Sequence, residues 1–307
     1  MSRAFVFLFL FIFLTGFPNA AVSRENACKT KTVLASRDIT LALAGILTDG
    51  TGISVKRAIP ARYFPARHAG YLKKKMADFA PLVRSADAVI TVRSAWPADP
   101  LYAYSRRANP WIVEIDATTP LDASRSGVPL MHHPDSGALL VHAWRSPSNL
   151  SRMADITAAD LSDLYPGAEK KIDANLGAFK RALFKLRTRF EIALGALDAF
   201  EVIAFSTDFL YLIDEFGLSV AEWFLTPEID WTDADRTALG KSLKRHHLKT
   251  VVCAWKPEKA TGKIIEAAGA RVVILKPFKL GSGDFSAQIR TWYEANLNAL
   301  VRGLSGT

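Results

Sequence analysis

Between Pro166 and Leu197 the chain carries apolar residues at Ile172, Leu176, Phe179, Leu183, Leu186, Phe190 and Leu194, each three or four positions after the last. That spacing places all seven on one stripe of a helix. Pro166 suits the first turn, where no amide donor is needed. A helix of about 30 residues at 1.5 Å rise is about 45 Å long, enough to run the length of a domain. A single short stripe of this kind packs along its own chain rather than pairing as a coiled coil. The feature constrains the fold because the sequence on either side of it is of a different kind.

Before the stripe, Thr32-Val33-Leu34-Ala35 reads as a strand, residues 39–47 as a helix and residues 53–59 as a second strand. Residues 71–83 have helical spacing. Ala88-Val89-Ile90-Thr91-Val92 and Trp111-Ile112-Val113-Glu114-Ile115 are β-rich runs. After the stripe the alternation resumes. Residues 201–205, 218–223, 250–255 and 271–275 read as strands, and residues 238–246, 262–268 and 289–300 as helices. Thr232 with Asp235 forms a helix-start capping pair. Strands alternating with helices imply parallel sheets with crossover helices. At 307 residues the chain exceeds one typical domain. The expectation is an α/β protein: two Rossmann-like βα lobes, at residues 28–165 and 198–303, joined by one long rigid linking helix at residues 166–197.

Arg3 is followed by an unbroken apolar run over residues 4–14, then by Thr15, Gly16 and Pro18, with small residues at Asn19-Ala20-Ala21. This is the order of a secretory signal, assigned to residues 1–21. The run is too short to span a bilayer, so the mature chain is expected in the periplasm. The net charge of +9 is spread out, and its tightest run, Lys73-Lys74-Lys75, is short. It reads as a solvated face rather than a nucleic-acid site. Cys28 and Cys253 are the only two cysteines. They lack metal-motif spacing, and whether they pair is left open. An enzyme on a doubly wound fold is the competing class. However, the chain has no Gly-rich phosphate loop, no Gly-x-Ser-x-Gly elbow and no His-Glu-x-x-His helix; Gly281-Ser282-Gly283 lacks a third glycine.

The string His142-Ala143-Trp144-Arg145-Ser146-Pro147-Ser148-Asn149 has the form His-x-Trp-x-x-Pro-x-Asn, and Met153-Ala154-Asp155 follows it. Asp163-Leu164-Tyr165-Pro166 and Asn175 lead into the long stripe. Ser206-Thr207-Asp208-Phe209-Leu210-Tyr211 and Gly269-Ala270-Arg271-Val272-Val273-Ile274-Leu275-Lys276-Pro277 come in the matching order. With these segments the chain resembles the metal-binding solute receptors of bacterial ABC transporters, of the zinc and manganese type. The resemblance covers nearly the whole mature chain. It implies a divalent transition metal, zinc or manganese, held in a cleft between the lobes as transported ligand. It also implies delivery to a permease in the inner membrane, a monomer, and no nucleic-acid partner.

By that resemblance His142 is a metal ligand. The other expected positions depart from the pattern. His68 is the one candidate for the first ligand and stands about three residues early. The third position is Ser206, a weak neutral ligand, and the fourth is Lys276. A protonated Lys about 4–5 Å from a divalent cation costs several kcal/mol at an effective dielectric near 20. Three readings follow. Asp208 and the His132-His133 pair substitute as ligands, imidazoles suiting zinc. Alternatively, the cargo is a metal held by an anionic chelator, with Lys276 meeting a carboxylate. Or the site is degenerate and the protein is a scaffold or regulator. The candidate metal set is thus His142, His68, Asp208, His133 and Ser206, with Lys276 in the cleft beside it.

Overall fold

The computed structural model describes residues 31–305. The segment read as a signal, residues 1–21, and Cys28 lie outside the described residues. The first lobe is built from β1 (Thr32–Ala35), α1 (Asp38–Leu47), β2 (Ser54–Arg57), α2 (His68–Lys74), α3 (Met76–Arg84), β3 (Ala88–Thr91), α4 (Leu101–Ala108) and β4 (Val113–Asp116). Two helices then run through the middle, α5 (Pro147–Leu164) and α6 (Glu169–Gly195). The second lobe follows: β5 (Glu201–Ala204), α7 (Leu210–Glu215), β6 (Ser219–Trp223), α8 (Asp233–Arg245), β7 (Thr250–Cys253), α9 (Lys259–Ala267), β8 (Arg271–Ile274) and α10 (Phe285–Ser305).

Both sheets are parallel, in the orders β2-β1-β3-β4 and β6-β5-β7-β8. The two lobes therefore repeat one topology. In each, the first strand has its successors on opposite sides, so the strand order reverses at β1 and at β5. In open parallel sheets ligands bind outside the carboxyl ends of strands at such a reversal. The α/β reading with two βα lobes and a long linking helix is thus what the chain adopts. Residues 71–83 differ from expectation: they fall into α2 and α3, which meet at Lys75, and α3 tolerates Pro81. The capping box at Thr232 and Asp235 forms as read.

The stripe on α6 faces inward. Ile172, Phe179, Leu183, Leu186, Phe190 and Leu194 are buried, and Leu176 packs partly buried against the same cluster. That cluster is continuous. It takes in Val33 and Ile90 of the first sheet, Val202 and Val252 of the second, and faces of α1, α5, α6 and α10. Smaller clusters lie under the outer helices of each lobe. Polar clamps hold α6 to both lobes. Asn175 Nδ2 donates to the Leu47 and Asp49 carbonyls, at 3.0 and 2.9 Å. Toward the other end, Arg187 pairs with Glu215 at 3.2 Å and Arg189 with Glu294 at 3.1 Å. Among the described residues no helix is long and apolar enough to cross a membrane.

Candidate ligand cleft

The chain leaves β1 at Ser36 and enters α1 through Arg37, its N-cap residue. A cavity of about 550 Å³ opens there, between the lobes. Its walls are Arg37, Asp38, Arg57, residues 61–65 and His68 from the first lobe, and residues 277–280 from the second. His142, Trp144 and Arg145 complete it, from the connection that leads into α5.

His142 lies at the start of a short 3₁₀ turn, Ala143–Arg145. Its Nδ1 is 3.3 Å from Asp208 Oδ1, and its ring meets Trp144 edge-on with centroids 5.0 Å apart. Burial brings its pKa down to about 4, helped by the Arg145 and Arg37 charges and opposed by Asp208. The hydrogen bond from His142, with the Arg145 charge, holds Asp208 at about 2 against the effect of burial. A neutral ring thus faces an ionised carboxylate. The proton sits on Nδ1, and Nε2 is left as the lone-pair nitrogen. Arg145 donates to the Asp208 main-chain carbonyl and lies 3.4 Å from its carboxylate. Asp208 is therefore engaged by two partners already.

His68 opens α2 and is only 2% exposed. Its Nε2 is 3.1 Å from the Tyr63 carbonyl, so that nitrogen carries the proton, and the buried Nδ1 has no hydrogen-bond partner among the described residues. Burial lowers its pKa, with the Arg37 and Arg57 charges adding to the effect. A chain of ring contacts links the two imidazoles through two indoles and a guanidinium. His68 meets the Trp96 ring at 6.2 Å, Arg37 lies 5.0 Å from Trp96 and 4.7 Å from Trp144, and Trp144 meets His142.

The remaining sequence candidates lie elsewhere. His133 and Ser206 line a separate recess at the carboxyl end of β5, with Thr207, Glu228 and Trp255. His133 Nδ1 accepts from the Asp135 and Ser136 amides, at 3.2 and 3.4 Å. His132 is exposed in a bridge with Leu139. The His132-His133 pair does not line the His142 cavity. Ser206 Oγ accepts from the Asp208 amide at 3.3 Å. Lys276 is exposed; its main chain is held by Asn296 and Trp292, and Lys279 lines the cavity in its place. Cys253 is buried, its thiol pushed up to about 12 by burial, and it donates to the Trp255 carbonyl at 2.9 Å.

The cavity thus gathers His142 and His68, with Asp208 behind His142. It also gathers Arg37, Arg57 and Arg145, none of which was read as a site residue from the sequence. Among the described residues no group of three or more His, Cys, Asp or Glu side chains is placed to hold a metal ion. Structural zinc takes four protein ligands and catalytic zinc three. Two lone-pair nitrogens beside guanidinium groups do not fit a bare divalent cation.

Against known proteins, the family described as zinc-uptake complex component A, periplasmic (ZnuA), matches residues 82–303. A mutant of FpvC from Pseudomonas aeruginosa superposes with TM-score 0.74 at 18% identity, covering 90% of this chain and 100% of that one. The metal-dependent lipoprotein YcdH from Bacillus subtilis gives 0.71 at 16% identity, covering 89% and 99%. A periplasmic metal-binding protein from Candidatus Liberibacter asiaticus gives 0.68 at 14% identity, covering 89% and 99%. At these identities the likeness is one of fold. The chain has no match among curated proteins.

Proposed function

The chain belongs to the ZnuA family of periplasmic zinc-uptake components, and we propose that it carries its metal cargo in the cleft between its lobes, at His142 and His68, for a permease of an ABC importer. The family is one of metal-binding transport receptors, not enzymes. Zinc or manganese is the metal this reading favours.

The observation that carries it is the His142–Asp208 pair at the cavity wall. Metal-binding histidines commonly donate their second ring nitrogen to a carboxylate, which fixes tautomer and orientation. Asp208 serves His142 in that way and is an orienting group rather than a ligand. His68 lines the same cavity, and its buried Nδ1 has no hydrogen-bond partner among the described residues. His133, Ser206 and Lys276 fall outside this assignment.

Elemental analysis of protein isolated natively from its own periplasm tests the reading. Stoichiometric zinc or manganese is expected in the wild type, with loss on His142→Ala. Asp208→Asn is expected to weaken metal retention by about 10–100-fold, the usual effect of removing such a support. A metal-free native protein would favour a second reading, a scaffold or regulator with a degenerate site. The absence of a three-ligand group among the described residues is what gives that reading its place.

A further inference from the structure

We infer that the cargo enters this cleft as an anionic, carboxylate-bearing metal chelate, and that the Arg37 guanidinium receives the chelate's negative charge. The inference rests on the receptor reading above and names the ligand class for the same cleft.

Three observations carry it. The first is charge. The cavity wall holds Arg37, Arg57, Arg62, Arg145 and Lys279, against Asp38 on the wall and Asp208 just behind it, 3.4 Å from Arg145. Asp38 is already occupied: it pairs with Arg57 at 2.7 Å and accepts the Leu280 amide at 3.0 Å. A wall of this sign repels a bare divalent cation and attracts an anion.

The second is Arg37 itself. It is 8% exposed, and its side chain makes no hydrogen bond and no ion pair within 4 Å among the described residues; the carboxylates of Asp99 and Asp38 act on it only from farther away. The two indoles beside it supply no acceptor for its five N–H donors. A buried guanidinium without acceptors is costly, and a carboxylate is the group whose geometry suits it, two parallel N–H···O bonds to one planar fork. Arg37 also stands at the reversal point of the first sheet and at the N-terminus of α1, where the helix dipole favours negative charge.

The third is room. About 550 Å³ is within the range of small-molecule sites and far exceeds what a bare ion needs. His142 supplies a nitrogen at the wall; the chelate's own carboxylates complete the metal's coordination and neutralise its charge. Ligand and wall then match in sign.

Metal-free protein, tested by calorimetry, separates the outcomes. The probes are zinc chloride, citrate alone, zinc citrate, zinc nitrilotriacetate, and zinc bipyridine as a cationic complex. The two anionic complexes are expected to bind at least about tenfold more tightly than the other three probes, a charge-assisted pair being worth that much. Arg37→Gln is expected to remove this preference, and Arg37→Lys to restore part of it. Lys279→Glu, an exposed change at the rim that leaves the interior alone, is expected to weaken the anionic complexes as well. Zinc chloride or zinc bipyridine binding as tightly as the anionic complexes would overturn the chelate inference and leave the receptor reading intact. So would unchanged preference in Arg37→Gln and Lys279→Glu proteins that melt like the wild type. No binding of any zinc form, with no metal in native protein, overturns the receptor reading itself.

Discussion

Asp160 on α5 is 3% exposed, and its Oδ2 has no hydrogen-bond partner among the described residues. Burial raises its pKa from 3.8 to about 6. A carboxyl that binds its proton more tightly when folded leaves stability intact below the unfolded pKa and lowers it as pH rises through the folded one. Asp160→Asn is therefore expected to stabilise the protein at pH 8 by up to ~3 kcal/mol, with the gain gone by about pH 4. Thermal melts of both proteins at the two pH values check this; equal shifts at both would remove the ionisation account. The same scale shows what sequence discloses about a site. The place of His142 at the cavity wall was legible because its motif is local, eight consecutive residues with a proline and a tryptophan in fixed places. Arg37 was not, because its meaning depends on Trp96 and Trp144 arriving from distant parts of the chain. One signal was available: Arg37 follows an apolar strand directly and precedes a helix, the position where doubly wound sheets bind ligands. Lys276 drew attention by its place in a motif, yet its backbone is pinned while its side chain faces solvent.

Among the elements, α6 was the most readable, since six of its seven stripe positions are buried. Leu183→Ala on that face is expected to destabilise by about 2–5 kcal/mol, whereas Phe184→Ala beside it, on the exposed face, should change stability by less than about 0.5 kcal/mol. Denaturant titration of the pair would show whether the stripe or mere apolarity holds the helix. The strands were legible for a similar reason, being short β-branched runs buried on both faces. α4 was missed because it buries little, chiefly Leu101 and Ser105, so no stripe emerges. α7 is six residues long, too short for periodicity to declare itself. Gly303 on α10 marks another limit: a Cβ there would come within 2.1 Å of Val273 Cγ2, a close approach that pattern alone does not reveal.

As a whole molecule the protein is braced against large hinge motion. α6 is clamped to both lobes, and other ties cross the cleft. Tyr293 donates to the Trp144 carbonyl, and the Tyr211 hydroxyl binds both Met131 and Leu140. At Gly45 of α1, Phe285 of α10 packs so closely that an added Cβ would stand 2.6 Å from its ring. Ligand binding is therefore expected to produce small tilts. Small-angle scattering with and without the bound complex should give the same radius of gyration; a clear contraction would mean that these ties break on capture.

The single apolar interior that runs from one sheet to the other makes the two halves a unit of inheritance. A substitution that reshapes one side of the seam is felt across it, so the halves can drift only in step. A chimera that replaced either half with a distant relative's would meet an unmatched surface down the whole length of α6.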